Sequence, residues 1–558
     1  MPPSIPIICG ESVAVRANQT LPRTKGVNSR LQRAVATGHS AGISLDGPPI
    51  RWFFCLVWLV LLSYRLGASS IPPPEAWVPI RWTGGPLELA WRTHTKTLPN
   101  DASVRDALAR WYEPATLNLL DGSPVNCLLV SWSAPTDAAV EAEQQQLVET
   151  YAGAAHHRNL AVLGLVYAAG NASKIATDAA RASLDGLVLE GEFTPQFADA
   201  LRKAAGSMVV IEIAKNAAGW RWKQAPVIPV AGVPPSGRNL SEMGIRGSPS
   251  SQPWIESNIW LVRSFALASS PSPVWISSQL ESTSTIDYLR AAADAAAAGG
   301  RWIIAFDDVL RLKLRGRDAS ALETWHRLLS YVRFAESHAA TGRLDPYGNV
   351  AIVLDRASTE PDRVDEYLKL ATRRQVPFQL ISRSDLNATM LTDFRAIVAT
   401  ELEPPSPSER TLLQDFGESG GMVFVGSSWG SAPRTEPFVE LPAGKGSVIV
   451  YKDPDPDAMA RDLKELLSDD DLGVVPFNVP SVITFAKRGS AGKALVVQLV
   501  NYFDHPVEAI TLRLAGNFHS ARLETPEAAS VDLSVHNEDG RTEVIIPKLL
   551  LWGVVSMQ

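Results

Sequence analysis

The chain has 558 residues, 46% hydrophobic and 20% charged, a balance ordinary for a folded protein and long enough for several domains. Its formal net charge of −7 argues against a nucleic-acid binder, which needs a basic face to displace counterions from phosphate. The cysteines are Cys9, Cys55 and Cys127. With the leader removed only Cys127 remains, which excludes an intrachain disulfide and a zinc–thiolate site.

Residues 1–48 are rich in Pro, Ser and Arg without helical or strand period, and disorder is expected there. Residues 52–64, WFFCLVWLVLLSY, follow Arg51 and precede RLGASS. An apolar run of this length between a positive charge and small residues reads as a signal-peptide core within 49–70, with cleavage after Ala68 or Ser70. A secreted or periplasmic protein is expected. An uncleaved membrane anchor is the alternative.

From 77 to 342, short apolar runs alternate with helical patterns. The runs are LELAW (87–91), CLLVSW (127–132), AVLGLVY (161–167), GLVLEGE (186–192), VVIEIA (209–214), VIPVAG (227–232), VWISSQ (274–279) and WIIAFDD (302–308). Helices are expected over 138–155, 172–182, 194–205, 254–268, 285–298 and 319–337. Near-continuous apolar strands separated by helices imply a parallel sheet covered on both faces, and eight of them fit a (β/α)8 TIM barrel. An open doubly wound sheet is the competing arrangement.

Over 343–470 the runs NVAIVLD, PFQLISR, FRAIVAT, GMVFVGS and KGSVIVYKD alternate with helices at 360–374, 407–417 and 457–467, which predicts a Rossmann-like α/β domain. From 473 to 558 the period changes to two. PSVITFAKR, KALVVQLVNYF, PVEAITLRL, SARLET and TEVIIPKLLLWGVVSM predict a small all-β sandwich.

In a barrel the chemistry sits at the C-terminal ends of the strands. The stretch SLDGLVLEGEF ends a buried run in Glu190 and Glu192. Glu212, Glu281, Asp307 and Asp308 fall at matching places. Two carboxylates flanking a scissile bond are the basis of glycoside hydrolysis, one giving a proton and the other attacking or activating water. Glu190 is the expected donor, with Glu192 in reserve. Asp307 is the expected partner, with Asp308 and Glu281 behind it. Trp91, Trp132, Trp220 and Trp222 are expected around the mouth, where a flat ring stacks on a sugar. His94, just past the first run, is the histidine best placed to act. No HExxH or similar spacing appears, and no dinucleotide fingerprint or P-loop, so neither metal nor cofactor is expected.

The order barrel, Rossmann-like domain, sandwich resembles bacterial β-galactosidases of the trimerisation-domain type. VAIVLD and GGMVFVGS resemble a glutamine-amidotransferase fold, and the absence of a cysteine after Cys127 implies a non-catalytic version of it. LVVQLVNYFDHPVEAITLRL resembles the final sandwich of such enzymes. The resemblance implies an acid/base Glu after strand 4, which Glu190 or Glu192 matches. It also implies a nucleophilic Glu ending strand 7, where this chain has SSQLE with Gln279 at the strand end and Glu281 displaced. The Asn-Glu pair usual on strand 4 is Leu189-Glu190 here. The expected function is a secreted glycoside hydrolase acting on an oligo- or polysaccharide. The alternative is a catalytically degenerate carbohydrate-binding or scaffold protein on a hydrolase barrel. A homo-oligomer is compatible with the middle domain.

Overall fold

The structure, a computed structural model, describes residues 71–215, 225–235, 255, 257–269, 272–280, 284–355, 361–489 and 494–558. The leader, with its disorder and signal-peptide readings, lies outside the described residues. Among the described residues no helix is long and apolar enough to cross a membrane.

The chain is a mixed α/β protein. Its first part is a parallel layer in which β1 (Pro79–Arg81), β2 (Cys127–Ser133), β3 (Ala161–Val166), β4 (Gly186–Leu189) and β5 (Val209–Glu212) pair in chain order. A second parallel group joins β6 (Ile228–Ala231), β7 (Val274–Ser277) and β8 (Arg301–Trp302). One residue beyond β8, β9 (Ile304–Ala305) pairs with β1. An isolated parallel bridge, Ala214 with Val230, links the chain after β5 to β6.

The intervening helices are α1 (Gly85–His94), α2 (Ala102–Ala109), α3 (Ala138–His156), α4 (Ala172–Arg181), α5 (Pro195–Ala205), α6 (Ile259–Ser269), α7 (Thr285–Ala297), α8 (Asp308–Arg315) and α9 (Ala319–Ser337). Their starts are chemically marked. The side chains of Asp101, Asn171, Thr194, Asp307 and Asp318 each accept from backbone N–H groups that the helix leaves unpaired.

The expected first strand, LELAW, is instead part of α1. The strand lies upstream, in the three residues of β1. Pro86 sits in the first turn of α1, where a missing N–H does no harm. Leu87 and Trp91, four apart, then share one helix face.

Side-chain alternation sorts the strands into two cores. Leu129, Leu163, Leu165, Val188, Ile211, Trp275 and Ile303 form one inner cluster. Their neighbours Leu128, Val130, Val162, Leu187, Ile276 and Ile304 pack outward into the helix layer.

Beyond residue 343, β11 (Val350–Leu354), β12 (Phe378–Ser382), β13 (Ala396–Val398), β14 (Met422–Val425) and β16 (Gly446–Tyr451) form a parallel sheet. β15 (Phe438–Ala443) adds an antiparallel edge. The helices of this sheet are α10 (Pro361–Arg373), α11 (Pro407–Glu418) and α12 (Pro456–Leu466).

The C-terminal region holds two antiparallel sheets. One runs β10 (Asp345–Tyr347), β18 (Val482–Arg488), β19 (Leu495–Asn501), β25 (Trp552–Met557), β21 (Ala521–Glu524), β22 (Val531–Leu533). The other runs β17 (Val474–Phe477), β20 (Val507–Ala515), β24 (Arg541–Leu549), β23 (Val535–Glu538). Val497, Leu499, Val555, Leu512, Leu514, Val544 and Ile546 from both share one apolar core.

Candidate functional site

Alternation along the strands decides which polar residues face inward where the parallel strands end. Leu129 and Leu165 belong to the inner core, so Ser131 and Tyr167, two residues on, face the same way. The pairing of Arg81 with Leu129 extends this face to β1. Val188 brings Glu190 inward, and Trp275 brings Ser277 inward. The inner rim is therefore Arg81, Ser131, Tyr167, Glu190 and Ser277.

Arg81 is only 5% exposed and organises this rim. Its two terminal nitrogens donate to the two oxygens of Glu190, each at 2.7 Å, and Nη2 also donates to the Ser277 hydroxyl at 3.2 Å. Burial works against the Arg81 charge. Glu190 more than offsets it and holds the guanidinium above its ordinary range. A two-pronged pair of this kind is a strong, directional contact.

A second group adjoins it. Glu88, on α1 and buried, accepts from Arg92 Nε at 3.0 Å, from the Ser131 hydroxyl at 2.8 Å and from the Tyr167 hydroxyl at 3.1 Å. Arg92 Nη1 donates to Asp308 at 2.8 Å. Burial first, then the charges of Glu88 and Glu190, push the Tyr167 phenol up, so it stays a neutral donor. Trp91 lies parallel to Tyr167, with centroids 5.5 Å apart, and His94 lies against Trp91 at 5.7 Å.

The expected site residues are thus distributed. Glu190 and Asp308 reach the inner cluster, each through an arginine. Glu192 does not, because Gly191 turns the chain with φ of 150° and leaves Glu192 80% exposed beside Lys215. Asp307 caps α8, one oxygen accepting from Val309 and Leu310 N–H and the other from the Tyr288 hydroxyl at 2.6 Å. Glu212 ends β5 one position out of phase with inward-facing Ile211, so it sits on the outer side. Gln279 is exposed, two residues past β7. Glu281, Trp220 and Trp222 lie outside the described residues.

Two aromatic expectations need correction. Trp132 is fully buried in the outer core, because it alternates with inward Ser131 and so points into the helices. Trp91 and His94 belong to α1 rather than to a strand end, although α1 still carries Trp91 to the rim against Tyr167. Sequence reading missed Arg81, Glu88, Arg92, Ser131, Tyr167 and Ser277. The available signal was a charge inside the apolar run VPIRW, since a buried arginine demands a carboxylate partner. Among the described residues no three His, Cys, Asp or Glu side chains converge to hold a metal.

No family model matches the chain, and no curated protein does. Solved structures do. The α-L-fucosidase isoenzyme 2 from Paenibacillus thiaminolyticus aligns with 86% of this chain and 99% of its own, at TM-score 0.56 and 9% identity. A GH42 β-galactosidase from G. stearothermophilus aligns with 88% and 100%, at TM-score 0.50 and 11% identity. At such identity the likeness concerns the fold alone. The chain has a glycoside-hydrolase-like fold.

Proposed function

We propose that the chain binds carbohydrate at the C-terminal ends of a closed (β/α)8 barrel and does not hydrolyse it. Closure is supported by β9 pairing with β1, by the Ala214–Val230 bridge and by the single inner core. The observation that carries the binding reading is the Arg81–Glu190 pair. Both oxygens of the best-placed carboxylate accept from a buried guanidinium, and among the described residues the end of β7 offers that arginine a hydroxyl, Ser277, rather than a second carboxylate. Hydrolysis needs two carboxyl groups facing one bond, one giving a proton and the other attacking or activating water. Asp307 and Asp308 are committed to a helix cap and to Arg92. Rim aromatics beside fixed polar groups suit a sugar, whose ring has an apolar face and a hydroxyl edge.

The hydrolase reading keeps one observation: the Glu190 and Asp308 side chains are 26% and 25% exposed, so both touch solvent. One experiment separates the two. Wild type, Glu190→Gln and Trp91→Ala are compared on a glycan panel and on aryl glycosides. Binding by wild type and Glu190→Gln, loss with Trp91→Ala, and no turnover are expected. Wild-type turnover that disappears in Glu190→Gln would overturn the binding reading and restore the hydrolase. The middle sheet as a non-catalytic amidotransferase-like domain, the C-terminal sheets as a sandwich, and export directed by residues 49–70 complete the proposal. Export is checked by sequencing the N-terminus of the secreted protein.

A further inference from the structure

Glu88 is a buried carboxylate on a helix rather than a strand, and its partners come from three elements. On α1, Glu88, Trp91 and Arg92 share one face, because residues three and four apart are neighbours on a helix. One Glu88 oxygen accepts from Arg92 Nε of the same helix at 3.0 Å. The other accepts from the Ser131 hydroxyl of β2 at 2.8 Å and from the Tyr167 hydroxyl, one residue past β3, at 3.1 Å. Trp91, about one turn on from Glu88, lies against Tyr167 with the two rings 11° from parallel. Both rings are half-buried, so the stack reaches solvent at the rim.

Stability alone does not call for a carboxylate at this place. A buried ion loses its water at a high cost, and well-packed apolar side chains often serve a core as well as a buried ion pair or better. Nor does α1 depend on Glu88 for its attachment to β2. Gln144 of α3, fully buried, donates to the carbonyls of Gly84 at 3.3 Å and Ser131 at 2.8 Å, and accepts from the Leu87 N–H at 3.3 Å. What Glu88 adds is direction. Ser131 fixes the carboxylate against β2, the carboxylate fixes the Tyr167 hydroxyl, and the phenol ring is thereby held parallel to Trp91.

We propose that Glu88 is the positioning residue of the carbohydrate site: through the Tyr167 hydroxyl it aligns Tyr167 and Trp91 as the platform on which a sugar ring stacks. The inference deepens the carbohydrate-binding reading and rests on it. Aromatic rings take the apolar face of a sugar and leave its hydroxyl edge to neighbouring polar groups. A platform held in place before the ligand arrives binds more tightly than one that must be ordered on binding.

The test uses the full chain and, as probe, the neutral oligosaccharide that wild type binds most tightly on a glycan array. Calorimetric titration gives its affinity, and urea unfolding of each variant sets conditions in which every one is folded. Glu88→Gln should weaken binding about tenfold. Tyr167→Phe, which keeps the ring and removes only the hydroxyl, should weaken it to a similar degree. The Glu88→Gln/Tyr167→Phe double variant should bind no worse than the weaker single, because both changes cut one tether. A purely structural Glu88 would move the urea midpoint and leave the affinity of the folded chain as it was. Unchanged affinity in Glu88→Gln, or losses that multiply in the double variant, would overturn the positioning role and leave the carbohydrate reading standing. A wild type that binds no sugar on the array would overturn both.

Discussion

Arg81 shows how much one residue decides. It sits on a three-residue strand, almost fully buried, and its charge is answered by Glu190. Breaking a buried pair leaves an unanswered charge, a larger penalty than losing both partners together. Glu190→Gln should therefore destabilise the chain by about 3 kcal/mol, read from urea unfolding. Arg81→Met combined with Glu190→Gln should recover part of the loss. If the double variant is as unstable as the sum of the singles, the two side chains do not act as a unit. The same residue marks where sequence reading stopped. Glu190 was legible because it ends an obvious strand. Arg81 was not, because its strand is too short to show a period and the louder apolar run LELAW stands six residues further on.

Elements were easier to read than orientations. The parallel runs from 127 onward were all found as strands, since an unbroken apolar stretch bounded by polar turns has few other uses. LELAW failed because five residues fit a helix turn as well as a strand, and Gly84-Gly85-Pro86 before it is helix-start chemistry. Trp132 failed by one residue of phase. In β2, where every position is buried, composition does not say which face is inner. Gly164 on the adjacent strand reports the phase directly. A Cβ there would stand 2.8 Å from Trp132 Cβ and 2.9 Å from a Leu184 methyl. Gly164→Ala should cost roughly 1–3 kcal/mol by overpacking, and Gly153→Ala on α3, where a Cβ meets nothing, should carry no such cost. A Gly164→Ala variant that unfolds at the wild-type urea concentration would mean that Trp132 does not lie against it.

At the scale of the whole molecule, α7 ties the first region to the C-terminal one. Asp294, fully buried, accepts from the Tyr502 hydroxyl at 2.5 Å and from Asn258 Nδ2 at 2.7 Å. Arg290, one turn earlier, donates to Asp504 at 2.6 Å. Burial raises the Asp294 pKa from 3.8 to about 6, against the pull of Tyr502 and Asn258. The folded chain thus holds a proton that the unfolded chain has released between those values. Stability from this group is complete below 3.8 and is lost as pH rises through about 6. Asp294→Asn should flatten this part of the profile in thermal unfolding across that window. An unchanged slope would place the titration elsewhere.

The Arg81–Glu190 pair also sets an order of events. Its partners stand 109 residues apart along the chain, and the Ser277 contact adds a span of 196. A growing polypeptide delivers β1 early and the acid that neutralises it much later. Until then the arginine keeps its water, and the first strand has no reason to go inside. Long-range contacts of this kind slow folding, because the loop must close before the contact repays it. The first strand is therefore expected to pack only once the chain as far as Glu190 is free to fold.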